Sequence, residues 1–544
     1  MGKVGCGVRI EHAADARLGA RSEPVPPLDS PDLRDAIQAH ARTQGTKIFL
    51  RSVDENREVT FGELAQYCAA ISGYLAGRGV ATKDKISVVG RNSVETLLAY
   101  LGVLYHGSVV NPINADESRG NIGKILGIVR PRMLLHDEDL DIDTMRLGIK
   151  EVIAFNCRNV PLAKCNDFFS ALLMQKRKES ARCIRSSDLS EIVFTSGTTS
   201  TPKGVCIARG PLHAMVAEVV EKLGITGDDV LLEYRNYNWA SAQLLTILSS
   251  VLTGATLVLA QRFSRSRFPE WLTEHGVTVA AGVPTVINIL VQEPVHFTKG
   301  EPVRLRFLTS SSAPLSVARQ LAFEEAYGIP ILQMAGMTEA GFMLGNPPDG
   351  RKIGSAGTAC RHKEVFFLNS AGRRCAQNEE GEMIVRGYSM GLGYLQPTGE
   401  IEPFSPEGFR TGDLGYMDDD GFVYITGRVK DLIIRGGVNI APAEITARLM
   451  EHPTVRDAAT IGVPDGIYGE EVVSFVVLKK DALVDTQEIM DHCLRNLPSF
   501  KVPKRLLFLD SIPKTTRGKI SKNDLLRLLG TLDTFPGPAR PSNN

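Results

Sequence analysis

From Asp32 onward the apolar residues alternate between helical spacing and short β-rich runs. LRDAIQAHARTQ has the period of a helix, KIFLRSV that of a strand, and TFGELAQYCAAISGYLAGRG that of a helix with a glycine stop. KISVVG, VETLLAYLGVLYHG and SVVNPIN repeat strand, helix and strand. Short strands separated by helices of about 10–15 residues predict crossover units and mainly parallel sheets. The rhythm continues from about 185 to 335. It then changes. EVFFLNSAGRRCAQNEEGEMIVRGY holds short strands split by turn residues, so an antiparallel β subdomain is expected over about 355–425. After Arg428, LIIRGGVNI, a helix opened at Pro442, AATIGV, EVVSFVVL and a helix over Thr486–Asn496 read as a compact α+β unit. The expected organisation is a leader (1–30), a large α/β domain (31–429), a small C-terminal domain (430–530) and a disordered tail (531–544).

At 544 residues the chain is long enough for about three or four structural units. Hydrophobic residues make up 43% and charged residues 23%, which excludes disordered and fibrous classes. Sixty-two basic residues balance 62 acidic ones, so no net field draws the chain toward nucleic acid or anionic membranes. Nine scattered cysteines without a CxxC pair suit reduced thiols in a cytoplasmic protein. MGKVGCGVRIEHAADA lacks the apolar core of a secretory signal. The uncharged stretch Ala240–Gln261 reads as a buried helix turning at Gly254 into a buried strand, not as a membrane span. Association into a homo-oligomer stays open.

Four segments carry chemistry. Glu191-Ile192-Val193-Phe194 runs into TSGTTSTPKG, with two glycines and six hydroxyl side chains over residues 195–204. Thr195, Ser196, Gly197, Thr198 and Thr199 would offer backbone amides and hydroxyls to phosphate, and Lys203 would balance its charge. Pro202 and Gly204 exclude a Walker loop. Gly336-Met337-Thr338-Glu339 follows an apolar strand and sets a carboxylate where Mg²⁺ can be held, although four such residues alone suit a solvated turn. Asp413, in a Gly-flanked turn before Arg428, suits vicinal ribose hydroxyls, or else a simple hairpin. Lys519 closes the basic loop PKTTRGK.

Together and in this order, these segments resemble the adenylate-forming superfamily of acyl-CoA and aryl-CoA synthetases, luciferases and nonribosomal adenylation domains. The resemblance covers about residues 30–530 and rests on TSGTTSTPKG, GMTE, RTGDLGYMDDDGFVYITGRVKDLIIRGGVNIAPAEI and LPSFKVPKRLLFLDSIPKTTRGKISK. It implies a large N-terminal domain, a small mobile C-terminal domain, and an ATP-dependent acid–CoA ligase using ATP, Mg²⁺ and coenzyme A. A small carboxylic acid would be adenylated with loss of pyrophosphate, and the thiol of CoA would then take the acyl group.

By the same resemblance, the loop at Thr195–Gly204 closes over the nucleotide phosphates, Thr338 contacts phosphate, Glu339 holds Mg²⁺, and Asp413 with Arg428 takes the ribose. Ser312 and Ala313 lie beside the nucleotide. Lys519 would bridge the attacking carboxylate and the α-phosphate, and Lys430 is the hinge about which the small domain turns. Gly436 and Gly437 would then let the pantetheine arm pass. Asn238, Trp239, Gly282 and Ser311 would line the acyl pocket. No acidic residue occurs from Tyr234 to Gln261, which argues against a free amino acid as substrate. Ser200, Ala335 and the Ser311-Ser312 pair depart from the family pattern, the first stiffening the phosphate loop and the last shortening the pocket. The alternatives are acyl transfer to a carrier protein or amine, and a non-catalytic nucleotide-binding relative.

Overall fold

Helices begin where a side chain can accept from the free amides of the first turn. Asp32 caps Leu33–Gln44, Ser93 caps Val94–His106, and Thr60 caps Phe61–Gly77 through a capping box with Glu63. The computed structural model describes residues 32–137, 145, 147–156, 184–195, 202–297, 303–480, 482, 484–514 and 520–534. The proposed leader, Ser196, Gly197, Thr198, Thr199, Ser200, Lys519 and the chain from 535 lie outside the described residues.

Two large sheets dominate the first part of the chain. In the nine-stranded sheet, six strands run parallel in the order Ile331–Met337, Phe307–Ser310, Val279–Ala280, Val230–Glu233, Thr256–Leu259 and Ile48–Ser52. The eight-stranded sheet has a parallel half formed by Leu189–Thr195, Val109–Asn114, Lys85–Gly90, Met133–Asp137 and Glu151–Asn156. Helices Phe61–Gly77, Val94–His106 and Arg209–Leu223 lie between the two sheets, because apolar residues of both sheets and all three helices join one core. Tyr237 ties the layers together: its hydroxyl donates to Val88 O at 2.6 Å and accepts from Ile113 N at 3.3 Å.

The antiparallel subdomain needs a correction. Lys363–Leu368, Gly381–Gly387, Phe409–Met417 and Val423–Arg428 do form an antiparallel sheet. Gly393–Leu395 and Ile401–Pro403, however, leave it and extend the eight-stranded sheet along Lys203–Ala208. Strand period shows that a segment is extended; it does not show which edge has unpaired amides to offer.

In the C-terminal region the long ladder of Val455–Asp465 and Gly469–Leu478 is covered on both faces. Helices Pro442–Glu451 and Thr486–Asn496 pack on one face. Ile512, Leu525 and Leu529 pack on the other. The last helix, Lys522–Thr534, therefore runs past residue 530, where the sequence pattern had started a disordered tail. Arg319 of the large domain donates to Arg456 O at 2.5 Å and ties the two regions directly.

Candidate active site

Parallel strands end at one edge of their sheet, where loop residues and free backbone groups can meet a ligand. At this edge of the nine-stranded sheet, Val230–Glu233 leads into Asn238 and Trp239, and Val279–Ala280 into Gly282. Phe307–Ser310 leads into Ser311, Ser312 and Ala313, and Ile331–Met337 into Thr338 and Glu339. Residues far apart in sequence are thus set side by side. The Gly282 amide donates to Thr309 Oγ1 at 3.2 Å, and a Cβ added at Gly282 would stand 2.1 Å from Thr309 O, so close packing demands glycine here. Ser312 has φ +74°, a left-handed conformation that costs a non-glycine residue on the order of 1–3 kcal/mol. Ser311 is buried, and its Oγ has no hydrogen-bond partner, nor has Asn238 Oδ1.

Leu189–Thr195 pairs antiparallel with Lys203–Ala208, which sets Thr195 opposite Lys203. Thr195 and Lys203, the two ends of the predicted phosphate loop among the described residues, are thus cross-strand neighbours. Next to Lys203–Ala208, Gly393–Leu395 brings in Tyr394, a residue the sequence pattern did not single out. Its hydroxyl donates to Glu339 Oε1 at 2.6 Å, and Lys203 Nζ stands 4.9 Å from the centre of its ring. Burial, reinforced by Glu339, raises the Tyr394 pKa, so the hydroxyl remains a donor. Tyr394 thus links the loop lysine to the carboxylate. The only signal in sequence was a tyrosine among glycines in GLGYLQ.

Asp413 and Arg428 face each other across the Phe409–Met417 and Val423–Arg428 ladder, with Arg428 Nε 2.7 Å from Asp413 Oδ1. Gly412, at φ +72°, turns the chain just before the aspartate. Lys430 sits in the short 3₁₀ turn Val429–Asp431 that follows. Gly436 and Gly437 form the two-residue turn of a hairpin in which Arg435 pairs with Val438. Their φ values of +56° and +83° are those of a type I′ turn, a backbone reason for two glycines that needs no ligand.

Behind Asn238 and Trp239 lies a buried ion pair that the sequence reading missed. Arg235 Nε donates to Glu233 Oε1 at 2.9 Å and Nη2 to Glu233 Oε2 at 2.6 Å. Glu233 also accepts from the amides of Tyr234 and Arg235 and from Thr246 Oγ1. Arg235 Nη2 reaches Ser241 O at 3.2 Å, which seats the guanidinium under the Asn238–Ser241 segment. Its Nη1 is buried without an acceptor.

No helix among the described residues is long and apolar enough to cross a membrane. The AMP-binding enzyme family matches residues 37–395, and the AMP-binding enzyme C-terminal domain matches residues 444–519. A sulfoacetate–CoA ligase of Cupriavidus necator is 33% identical over 519 residues, covering 94% of this chain and 99% of that protein. An oxalate–CoA ligase of Arabidopsis thaliana is 31% identical over 462 residues, covering 83% of this chain and 90% of the relative. Among solved structures, ATP-bound MatB from Rhodopseudomonas palustris superposes with a TM-score of 0.82 at 26% identity, covering 92% of this chain and 100% of that one. MenE from Bacillus subtilis, holding an acyl-adenylate intermediate, gives 0.77 at 26% identity, covering 95% and 100%. Fold, matched domains and relatives agree: the chain belongs to the AMP-binding, adenylate-forming enzyme family that includes these CoA ligases.

Proposed function

We propose that the protein is an ATP-dependent acid–CoA ligase acting on a small, polar carboxylic acid. The observation that carries this reading is the chain of contacts from Lys203 through Tyr394 to Glu339, at the edge where the acyl-pocket and nucleotide segments converge. A carboxylate oxygen of the acid attacks the α-phosphorus of ATP, and pyrophosphate leaves. The CoA thiol then loses its proton, forms the thioester bond to the acyl carbon, and displaces AMP. Both anions must meet, so fixed positive charge and oriented donors supply the stabilisation.

In this reading Thr195 and Lys203, with Ser196–Thr199, hold the outer phosphates, Thr338 contacts phosphate, and Asp413 and Arg428 hold the ribose. Lys519 bridges the two reacting groups. Among the described residues no group of three or more potential metal ligands occurs. A single carboxylate nevertheless suits Mg²⁺, which takes one or two protein oxygens together with phosphate oxygens, and Glu339 would hold it. When bound, the ion would neutralise charge on the nucleotide. The small-acid reading is supported by Ser311 and Ser312, whose bulk shortens the pocket, and by relatives named for sulfoacetate and oxalate, while the absence of an acidic residue from Tyr234 to Gln261 argues against a free amino acid.

The test is pyrophosphate release with ATP, Mg²⁺ and a panel of acids, with and without CoA. Turnover that requires CoA is expected, and Lys519→Ala should lower it by at least about 100-fold while ATP still binds. An unchanged rate in Lys519→Ala would remove that residue from the chemistry. Pyrophosphate release indifferent to CoA would point to an acyl acceptor other than CoA.

A further inference from the structure

The guanidinium of Arg235 is unusual for what it lacks. Its side chain is 2% exposed and that of Glu233 is fully buried. Glu233 is satisfied by five donors, whereas Arg235 uses only Nε and Nη2. Nη1 therefore keeps two N–H groups out of water with no protein acceptor. Leaving buried donors of a charged group unpaired is among the costlier faults a fold can carry. An acceptor from a bound ligand would complete it.

Topology shows on which face of the sheet the unpaired donors lie. Leu231, Val279, Ala281 and Phe307 share one core on one face of the nine-stranded sheet. Leu232, Ala280 and Leu308 share another on the opposite face. Glu233 continues the row of Leu231, and its contact with Thr246 confirms that it faces the helical side. Arg235 bonds Glu233 and Ser241 on that same side. Ser311 continues the row of Phe307, and its buried Oγ also has no partner. One strand, Val279–Ala280, separates the two, so their strands stand about 10 Å apart. A short acid lying across this edge would have its reacting carboxylate toward Thr338 and Glu339 and its far end toward Arg235.

We propose that Arg235 binds a second oxyanion, carboxylate or sulfonate, at the far end of the acid, making the enzyme selective for short acids that carry two anionic groups. The inference rests on the acid–CoA ligase reading above and names its substrate class. Specificity follows from asymmetry: an apolar tail would leave Nη1 unpaired, whereas an oxyanion accepts from it in a charge-assisted bond. Arg235 is a specificity residue and touches no reacting atom.

The test measures CoA-dependent pyrophosphate release with acids of matched backbone length: malonate and sulfoacetate against propionate, and succinate against butyrate. The wild-type enzyme should prefer the dianions. Arg235→Met should lower kcat/KM for the preferred dianion by about 30- to 100-fold, chiefly through KM, and leave or raise that for its monoanionic match. Glu233 keeps three of its donors in this variant, so the fold is expected to persist. The double variant Glu233→Gln with Arg235→Met removes the residual charge, and a thermal melt of both reports folding. Preference of the wild type for monoanions, or equal loss for dianions and monoanions in a folded Arg235→Met, overturns the inference and leaves the ligase reading standing. Turnover of neither kind of acid overturns both.

Discussion

Glu191 shows how much a single side chain can be asked to do. It lies on Leu189–Thr195, the strand that leads to the predicted phosphate loop, and is fully buried. Gln243 Nε2 donates to its Oε1 at 2.8 Å. Burial outweighs that bond and raises its pKa to about 8, against an ordinary value of 4.5. The folded state therefore holds a proton that the unfolded chain releases. The stability this contributes is complete below about pH 4.5 and is lost as pH rises through about 8. Glu191→Gln is neutral at every pH, so it should flatten the fall in urea midpoint that the wild type shows between about pH 5 and 8.5. Equal slopes in the two proteins would place the pH dependence elsewhere. Among single residues, Lys203, Glu339, Asp413 and Arg428 were legible as candidates because each sits in a recognisable string. Tyr394 and Arg235 were not, because their roles come from contacts with Glu339 and Glu233 that only folding creates.

Elements were read well where the signal is local. Caps at Asp32, Thr60 and Ser93 and the stop at Gly107 fix helices from side chain to backbone within one turn. The π-turn Gln243–Ile247 was not read, since it arises where Gln243 and Thr246 are drawn to the buried carboxylates of Glu191 and Glu233. The Ile433–Ile440 hairpin carries a prediction of its own. A Cβ at Gly437 would meet nothing within 4 Å, so Gly437→Ala acts through its φ of +83° alone. It should destabilise the small domain by about 1–2 kcal/mol in urea unfolding. On the proposed function it should also slow thioester formation and spare adenylation, because Ile434 and Val438 beside it are exposed and free to dock. Unaltered stability would show that the turn relaxes to another geometry.

For the whole molecule, the question is how one edge would serve the two proposed reactions. Lys430 lies in the turn that leaves the last strand of the antiparallel sheet, and Arg319 is one of few direct ties described between the regions. If the small domain turns at Lys430, Lys430→Pro should spare single-turnover adenylate formation and lower thioester formation at least about tenfold, since proline fixes φ at the hinge. Equal loss of both steps would contradict the hinge.

The sequence by itself determined the helices and strands, the order of two kinds of domain, and the strings proposed to hold phosphate, ribose and the reacting carboxylate. These depend on spacing and chain-local hydrogen bonds, which are written along the backbone. Only the tertiary structure decided that Gly393–Leu395 crosses to pair with Lys203–Ala208, that the last helix extends to Thr534, and that Arg235 Nη1 is buried without an acceptor. The physical reason is the same in each case. An unpaired strand edge, an uncovered apolar face and an unsatisfied N–H exist only after distant segments have packed, so no stretch of sequence states them.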